Sequence, residues 1–100
     1  LAAPRSAAYG AAKAAMAHAM KSLSARLLPA VRVNTVSPGD TLAPGNVWDR
    51  VRQQSPDEYA RVLQRNPLQR LATPDEVARV IAWLCTDDAR MVTGNVIRMR

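Results

Sequence analysis

Two short runs rich in β-branched residues, VRVNTV at 31–36 and NVIRM at 95–99, stand far apart with helix-like sequence between them. A hairpin joins antiparallel strands through a few residues, whereas parallel strands need a crossover of a dozen residues or more, usually helical. If the two runs are parallel strands, the helical segment is the crossover between them, and an α/β layered fold is implied. The first run is β-branched at four of six positions and is bounded by Pro29 on one side and by Ser37, Pro38 and Gly39 on the other. A parallel sheet is buried on both faces, and two strands alone leave an open edge and uncovered helix faces. The 100 residues are therefore expected to be the C-terminal part of a longer chain whose sheet continues upstream of Leu1.

Before the first strand, Ser6 to about Leu28 is almost entirely helix-forming, with Ser6 placed to cap the start and Pro29 to stop the end. Tyr9, Lys13, Met16, Met20, Leu23 and Leu27 follow one another at steps of four and three, so they form one stripe. Met16 to Leu27 is expected to pack in the core. At Tyr9 and Lys13 the stripe turns polar, and that end is expected to face a cleft, because a buried unpaired lysine is costly.

After the first strand, Ser55-Pro56-Asp57-Glu58 and Thr73-Pro74-Asp75-Glu76 each offer an N-cap hydroxyl, a proline at the first helical position and a glutamate able to reach back. Both are expected to start helices. The second continues with Val77, Val80, Ile81, Leu84 and Cys85 on one face and ends near Thr86, with Cys85 expected to be packed. Thr93-Gly94 then forms a turn into the last strand.

The charge narrows the function classes. The net charge is +6, but the twelve arginines are scattered, and the densest run, Arg61 to Arg70, reads as a solvated surface and not as a nucleic-acid interface. The single cysteine rules out an internal disulfide and suits a reducing, cytoplasmic setting. No apolar stretch is long enough to span a membrane. His18 has no ligand partners at metal spacing and is expected on the helix surface, so no metal site is expected.

The segments YGAAK at 9–13, VRVNTVSPG at 31–39, NPLQRLATPDEVARVIAWL at 66–84 and VTGN at 92–95, in this order, resemble the C-terminal half of classical short-chain dehydrogenases/reductases. The resemblance covers nearly the whole chain. It implies a Rossmann-type doubly wound parallel sheet, mostly helical in this part, with NAD or NADP as cofactor. It further implies hydride transfer to or from a small alcohol or carbonyl substrate, and a homo-oligomer at full length.

By the same resemblance, Tyr9 is the general acid/base of the Y-x-x-x-K motif, and Lys13 both supports it and holds the nicotinamide ribose. The chemistry needs such a pair: a free phenol titrates near pH ~10, so a neighbouring ammonium must favour the phenolate for proton transfer at neutral pH. Pro38 and Gly39 match the family's P-G, where backbone passes the nicotinamide ring at the carboxyl end of a strand. Thr41 is the nearest candidate for the threonine that bonds the carboxamide, although it stands closer to the glycine than is usual. The segment 42–65 resembles the variable substrate-covering region, with Trp48 available as an apolar wall.

The chain also departs from the family. Its glycines are Gly10, Gly39, Gly45 and Gly94, and they form no pyrophosphate loop. The family's serine would fall upstream of Leu1, and I-R-M-R stands where the last strand would run into V-D-G-G. On these grounds the 100 residues alone are expected to be inactive, and a non-catalytic remnant is the alternative to the enzyme.

Overall fold

The strand pair is parallel and the segment between the strands is helical, so the condition for an α/β layered fold is met. The computed structural model describes residues 7–100, so the expected Ser6 cap lies outside the described residues. In chain order the elements are α1 (Ala7–Arg26), β1 (Thr35–Pro38), α2 (Val47–Gln54), α3 (Pro56–Arg65), α4 (Pro74–Leu84), a single 3₁₀ turn (Asp87–Ala89) and β2 (Val96–Met99). Strand β1 pairs with β2 in parallel, with Thr35 opposite Val96 and Pro38 opposite Met99.

The first strand begins later than its composition suggests. Val31 to Asn34 lie outside the ladder, which runs from Thr35 into Pro38. Long-range bonds to the turn before β2 hold this approach instead: the Thr93 hydroxyl accepts from the Val33 N–H at 3.2 Å, and the Gly94 N–H donates to Val33 O at 2.8 Å. Asn34 completes the latch, its amide donating to Val92 O at 2.9 Å while its Oδ1 accepts from the Asn95 N–H at 3.2 Å. Arg32 donates to Leu84 O at 2.8 Å and to Val92 O at 3.0 Å. A cation so placed satisfies a carbonyl at the end of α4 and complements the helix dipole.

Helix α1 buries a different line of residues from the expected stripe. Met16 is 59% exposed, and Leu23 and Leu27 are also exposed. The inward line is Ala17, Met20 and Ser24, of which Ser24 is buried. The cause is close approach: a Cβ added at Gly94 (φ +74°) would lie 3.1 Å from Ser24 Oγ, so a small residue on the helix meets a glycine in the turn. The Ser24 hydroxyl itself donates to Lys21 O at 2.7 Å.

Both helix-start signatures in the crossover open helices, but only one works as a capping box. At α4 the Thr73 side chain accepts from the Glu76 N–H, and the Glu76 carboxylate accepts from the Thr73 N–H at 3.0 Å. Ser55 makes no side-chain cap bond. It serves α2 and α3 at once, and its N–H closes α2 on Val51 O at 2.8 Å, which leaves its backbone at φ −140°, ψ 68°.

The buried apolar residues are Val62 on α3, Leu71 and Ala72 before α4, Leu84 on α4 and Ala89 in the 3₁₀ turn. Cys85, expected to be packed, is exposed, because Leu84 takes the inward position at the end of α4. His18 is exposed on α1 as expected. The accessible surface is 7650 Å², against about 5600 Å² for a compact protein of this mass. The radius of gyration is 16.3 Å, against about 13 Å for a compact domain of this length. Much apolar surface that a compact domain would cover is therefore open, including Met16, Leu23, Leu27 and Leu28 along and just beyond α1.

Candidate active site

The residues expected at the site fall into two groups. The first lies in the opening turns of α1, where alanine on every side keeps the helix regular and places Tyr9 and Lys13 one turn apart on one face. Lys13 Nζ stands 5.6 Å from the centroid of the Tyr9 ring. That is within reach of a cation–π contact. Tyr9 is 66% exposed and Lys13 is exposed, as is the apolar Met16 farther along the same stripe, and no cavity among the described residues is lined by the pair.

The second group lies at the carboxyl end of β1. The Gly39 N–H donates to Met99 O and extends the parallel ladder past Pro38. A Cβ built at Gly39 would lie 2.7 Å from that same carbonyl oxygen and 3.0 Å from the Arg100 carbonyl carbon. Backbone approach therefore excludes any side chain here, and the strand end stays bare. Thr41 donates its hydroxyl to Gly39 O at 3.0 Å, so its hydrogen is already used within the loop. Thr41 and Leu42 are seated on the segment before α4, through a bridge to Ala72 and a bond from the Leu42 N–H to Ala72 O at 2.8 Å.

No hydrogen bond or ion pair among the described residues joins the Tyr9–Lys13 pair to the Pro38–Thr41 loop. Each group is held by its own element, with α1 resting on the turn at Gly94 and the loop resting on β2 and Ala72.

Asn46 and Asp49 were not among the residues expected at the site, yet they fix how the covering helices leave the strand. Asn46 caps α2, accepting from the Asp49 N–H at 3.0 Å, and its amide donates to Thr41 O at 2.7 Å. Asp49 accepts from the Gly45 N–H at 2.8 Å and pairs with Arg52. The Gly45 amide, then Arg52, hold the Asp49 carboxyl below its usual range. The readable signal was Asn46 directly before an amphipathic run, with an acid three residues on. Trp48, on this helix, is half-buried.

Arg70 closes the capping box of α4 from outside. Its guanidinium donates to both oxygens of Glu76, at 2.7 Å to Oε1. Arg70, then the Thr73 N–H, lower the Glu76 pKa to about 2. A carboxylate with a depressed folded-state pKa contributes stability above its unfolded value, 4.5, and loses it as pH falls toward 2. The expected result is that Glu76→Gln unfolds at lower temperature than the parent at pH 7. The gap should close progressively from about pH 4.5 to about pH 2 in paired thermal melts. A gap that persists at pH 2 would mean that the cap, and not the ion pair, carries the effect.

Between the end of α3, the following loop and the carboxyl ends of both strands lies an open cavity of about 410 Å³. Gly39, Asp40, Arg65, Asn66 and Arg100 are on its wall. Among the described residues no group of His, Cys, Asp and Glu could hold a metal ion, and no helix is long and apolar enough to cross a membrane.

Known proteins of the same pattern are numerous. The family profile described as enoyl-(acyl carrier protein) reductase matches residues 1–99. The FixR protein of Bradyrhizobium diazoefficiens is 43% identical over 88 residues, covering 87% of this chain and 29% of its own length. An isoepoxydon dehydrogenase of Aspergillus clavatus is 39% identical, covering 88% of this chain and 34% of its own. Among solved structures, a short-chain dehydrogenase/reductase of Brucella melitensis is 38% identical with a TM-score of 0.80, covering 97% of this chain and 38% of that one. A short-chain oxidoreductase of Burkholderia thailandensis is 37% identical, also with a TM-score of 0.80, covering 93% and 36%. The chain thus spans about a third of the length of the relatives it matches.

Proposed function

The chain belongs to the short-chain dehydrogenase/reductase family of oxidoreductases, and from that premise we propose that it carries the proton-transfer pair of an NAD- or NADP-dependent enzyme acting on a small alcohol or carbonyl compound. The observation that carries this reading is the pair itself: Lys13 Nζ over the Tyr9 ring at 5.6 Å, with both side chains open to a ligand.

When bound, the nicotinamide supplies or accepts the hydride. Tyr9 gives its hydroxyl proton to the carbonyl oxygen as the alcohol forms, and takes it back in the reverse direction. The Lys13 ammonium stabilises the phenolate that Tyr9 becomes, and is free to hold ribose hydroxyls. At β1 the bare backbone of Pro38 and Gly39 gives a flat planar ring a surface to lie on, because no side chain fits there. Thr41 keeps acceptor lone pairs for a carboxamide N–H, its own hydrogen being used on Gly39 O. The chain contains no pyrophosphate loop, so that grip belongs to other residues. The open face of α1 suits a homo-oligomer, and the composition suits the cytoplasm.

The test uses the chain grafted in place of the matching segment of a solved relative. Lys13→Ala is expected to lower kcat by about 10²-fold and to raise the cofactor KM, since one ammonium serves both tasks. Lys13→Arg, which keeps the charge, should recover part of kcat. If Lys13→Ala changes neither constant, the pair is not part of the machinery. A graft that binds cofactor but transfers no hydride would favour the non-catalytic remnant.

A further inference from the structure

The cavity at the carboxyl ends of β1 and β2 has an electrostatic character that proton transfer does not use. Arg65 is the last residue of α3, and Arg100 follows β2 directly across the ladder from Gly39. Both line the cavity and both are exposed. The ion pairs among the described residues are Arg52–Asp49 and Arg70–Glu76, so neither Arg65 nor Arg100 has a carboxylate partner. Asp40 is the one acidic side chain on the wall, and Asn66 adds a polar amide. Two arginines on the wall of one concavity offer it forked N–H groups and positive charge, which an oxyanion complements. Ligands of open α/β sheets bind beyond the carboxyl ends of the strands, which is where this cavity opens.

We infer that Arg65 and Arg100 form an anion subsite, and that the substrate carries a carboxylate, phosphate or sulfonate group which docks there while its reacting carbon lies toward Gly39. The assignment of the anion to the substrate rests on the oxidoreductase reading; the existence of the subsite does not. The chemistry needed is an oxyanion, and two sources can supply one, the substrate or a phosphate of the cofactor.

Inorganic phosphate is the probe, titrated into the grafted enzyme while the arginine Nε–Hε signals are followed by NMR. This needs no turnover and no participation by Tyr9, so failure of the catalytic reading leaves it readable. The expected result is saturable binding at one site with shifts at Arg65 and Arg100, weakened about tenfold in Arg65→Gln and in Arg100→Gln and largely kept in the lysine variants. Binding should persist when NADH or NADPH is present at a concentration shown by its fluorescence to saturate the enzyme. Absence of saturable binding, or equal binding by the glutamine variants, would overturn the subsite. Displacement of phosphate by the cofactor would overturn the substrate assignment, because the site would then belong to a cofactor phosphate.

Discussion

Tyr9→Phe in the grafted enzyme is expected to lower kcat by about 10³-fold while leaving the cofactor KM within about twofold. The substitution removes one oxygen and nothing else. The ring, 66% exposed near the start of α1, is not part of the packed core, so its replacement should alter stability by no more than about 0.5 kcal/mol. The aromatic face that Lys13 Nζ overlies at 5.6 Å is also retained. In the proposed mechanism Tyr9 exchanges the proton with the substrate oxygen and Lys13 acts by charge, so the substitution removes the proton and keeps the charge. Steady-state kinetics beside equilibrium cofactor binding separate the two effects. A Tyr9→Phe enzyme with unchanged kcat would end the proton-transfer assignment, and one that loses cofactor affinity instead would make Tyr9 a binding residue.

Gly39→Ala is expected to open the sheet at its carboxyl end. The new methyl carbon would lie 2.7 Å from Met99 O and 3.0 Å from the Arg100 carbonyl carbon, and these are backbone atoms that cannot swing aside as a side chain can. Relief requires the strands to part where the Gly39 N–H donates to Met99 O. Overpacking of this kind costs roughly 1–3 kcal/mol, with the lost ladder bond included in that range. Amide exchange gives the most local readout. The Gly39 amide should lose protection, while the Thr35 amide, which donates to Asn95 O at 2.9 Å at the other end of the ladder, keeps it. Unchanged exchange at Gly39 would show that the end of the strand is looser than this close approach implies. If the bare strand end supports the nicotinamide, the same variant should also weaken cofactor binding.

The parts of the fold legible in the sequence are those set by short spacings. Thr73 and Glu76 are three residues apart, and their capping box can be read without knowing anything else in the chain. Tyr9 and Lys13 are legible for the same reason, because helical geometry alone puts positions four apart on one face. Ser55 carried the same signature and made no cap bond, since its backbone is shared between two helices, which no local pattern reports. In α1, alanine occupies so many positions that the apolar stripe was defined by a few large residues. The contact that forms uses a small one, Ser24, against the glycine turn at Gly94.

What was illegible depended on distant partners. Arg32 looked like one more scattered arginine until Leu84 O and Val92 O were beside it. The start of β1 at Thr35 follows from the Thr93 and Gly94 latch on Val33, a long-range constraint absent from the composition of VRVNTV. At the site, the tie from Asn46 to Thr41 O, which fixes the departure of the covering helices, is short in sequence but crosses from loop to helix cap. The closeness of Arg100 to Gly39 requires the parallel register itself.

A crystal structure of the grafted enzyme with NADH or NADPH bound tests the role of Tyr9 and Lys13 without relying on turnover. Lys13 Nζ is expected within hydrogen-bond reach of the nicotinamide ribose hydroxyls, the Tyr9 hydroxyl facing the reactive face of the ring, and the Pro38–Gly39 backbone lying along the nicotinamide. A cofactor ordered in the protein with Tyr9 and Lys13 turned to solvent and out of contact with it would rule out Tyr9 and Lys13 as the proton-transfer pair.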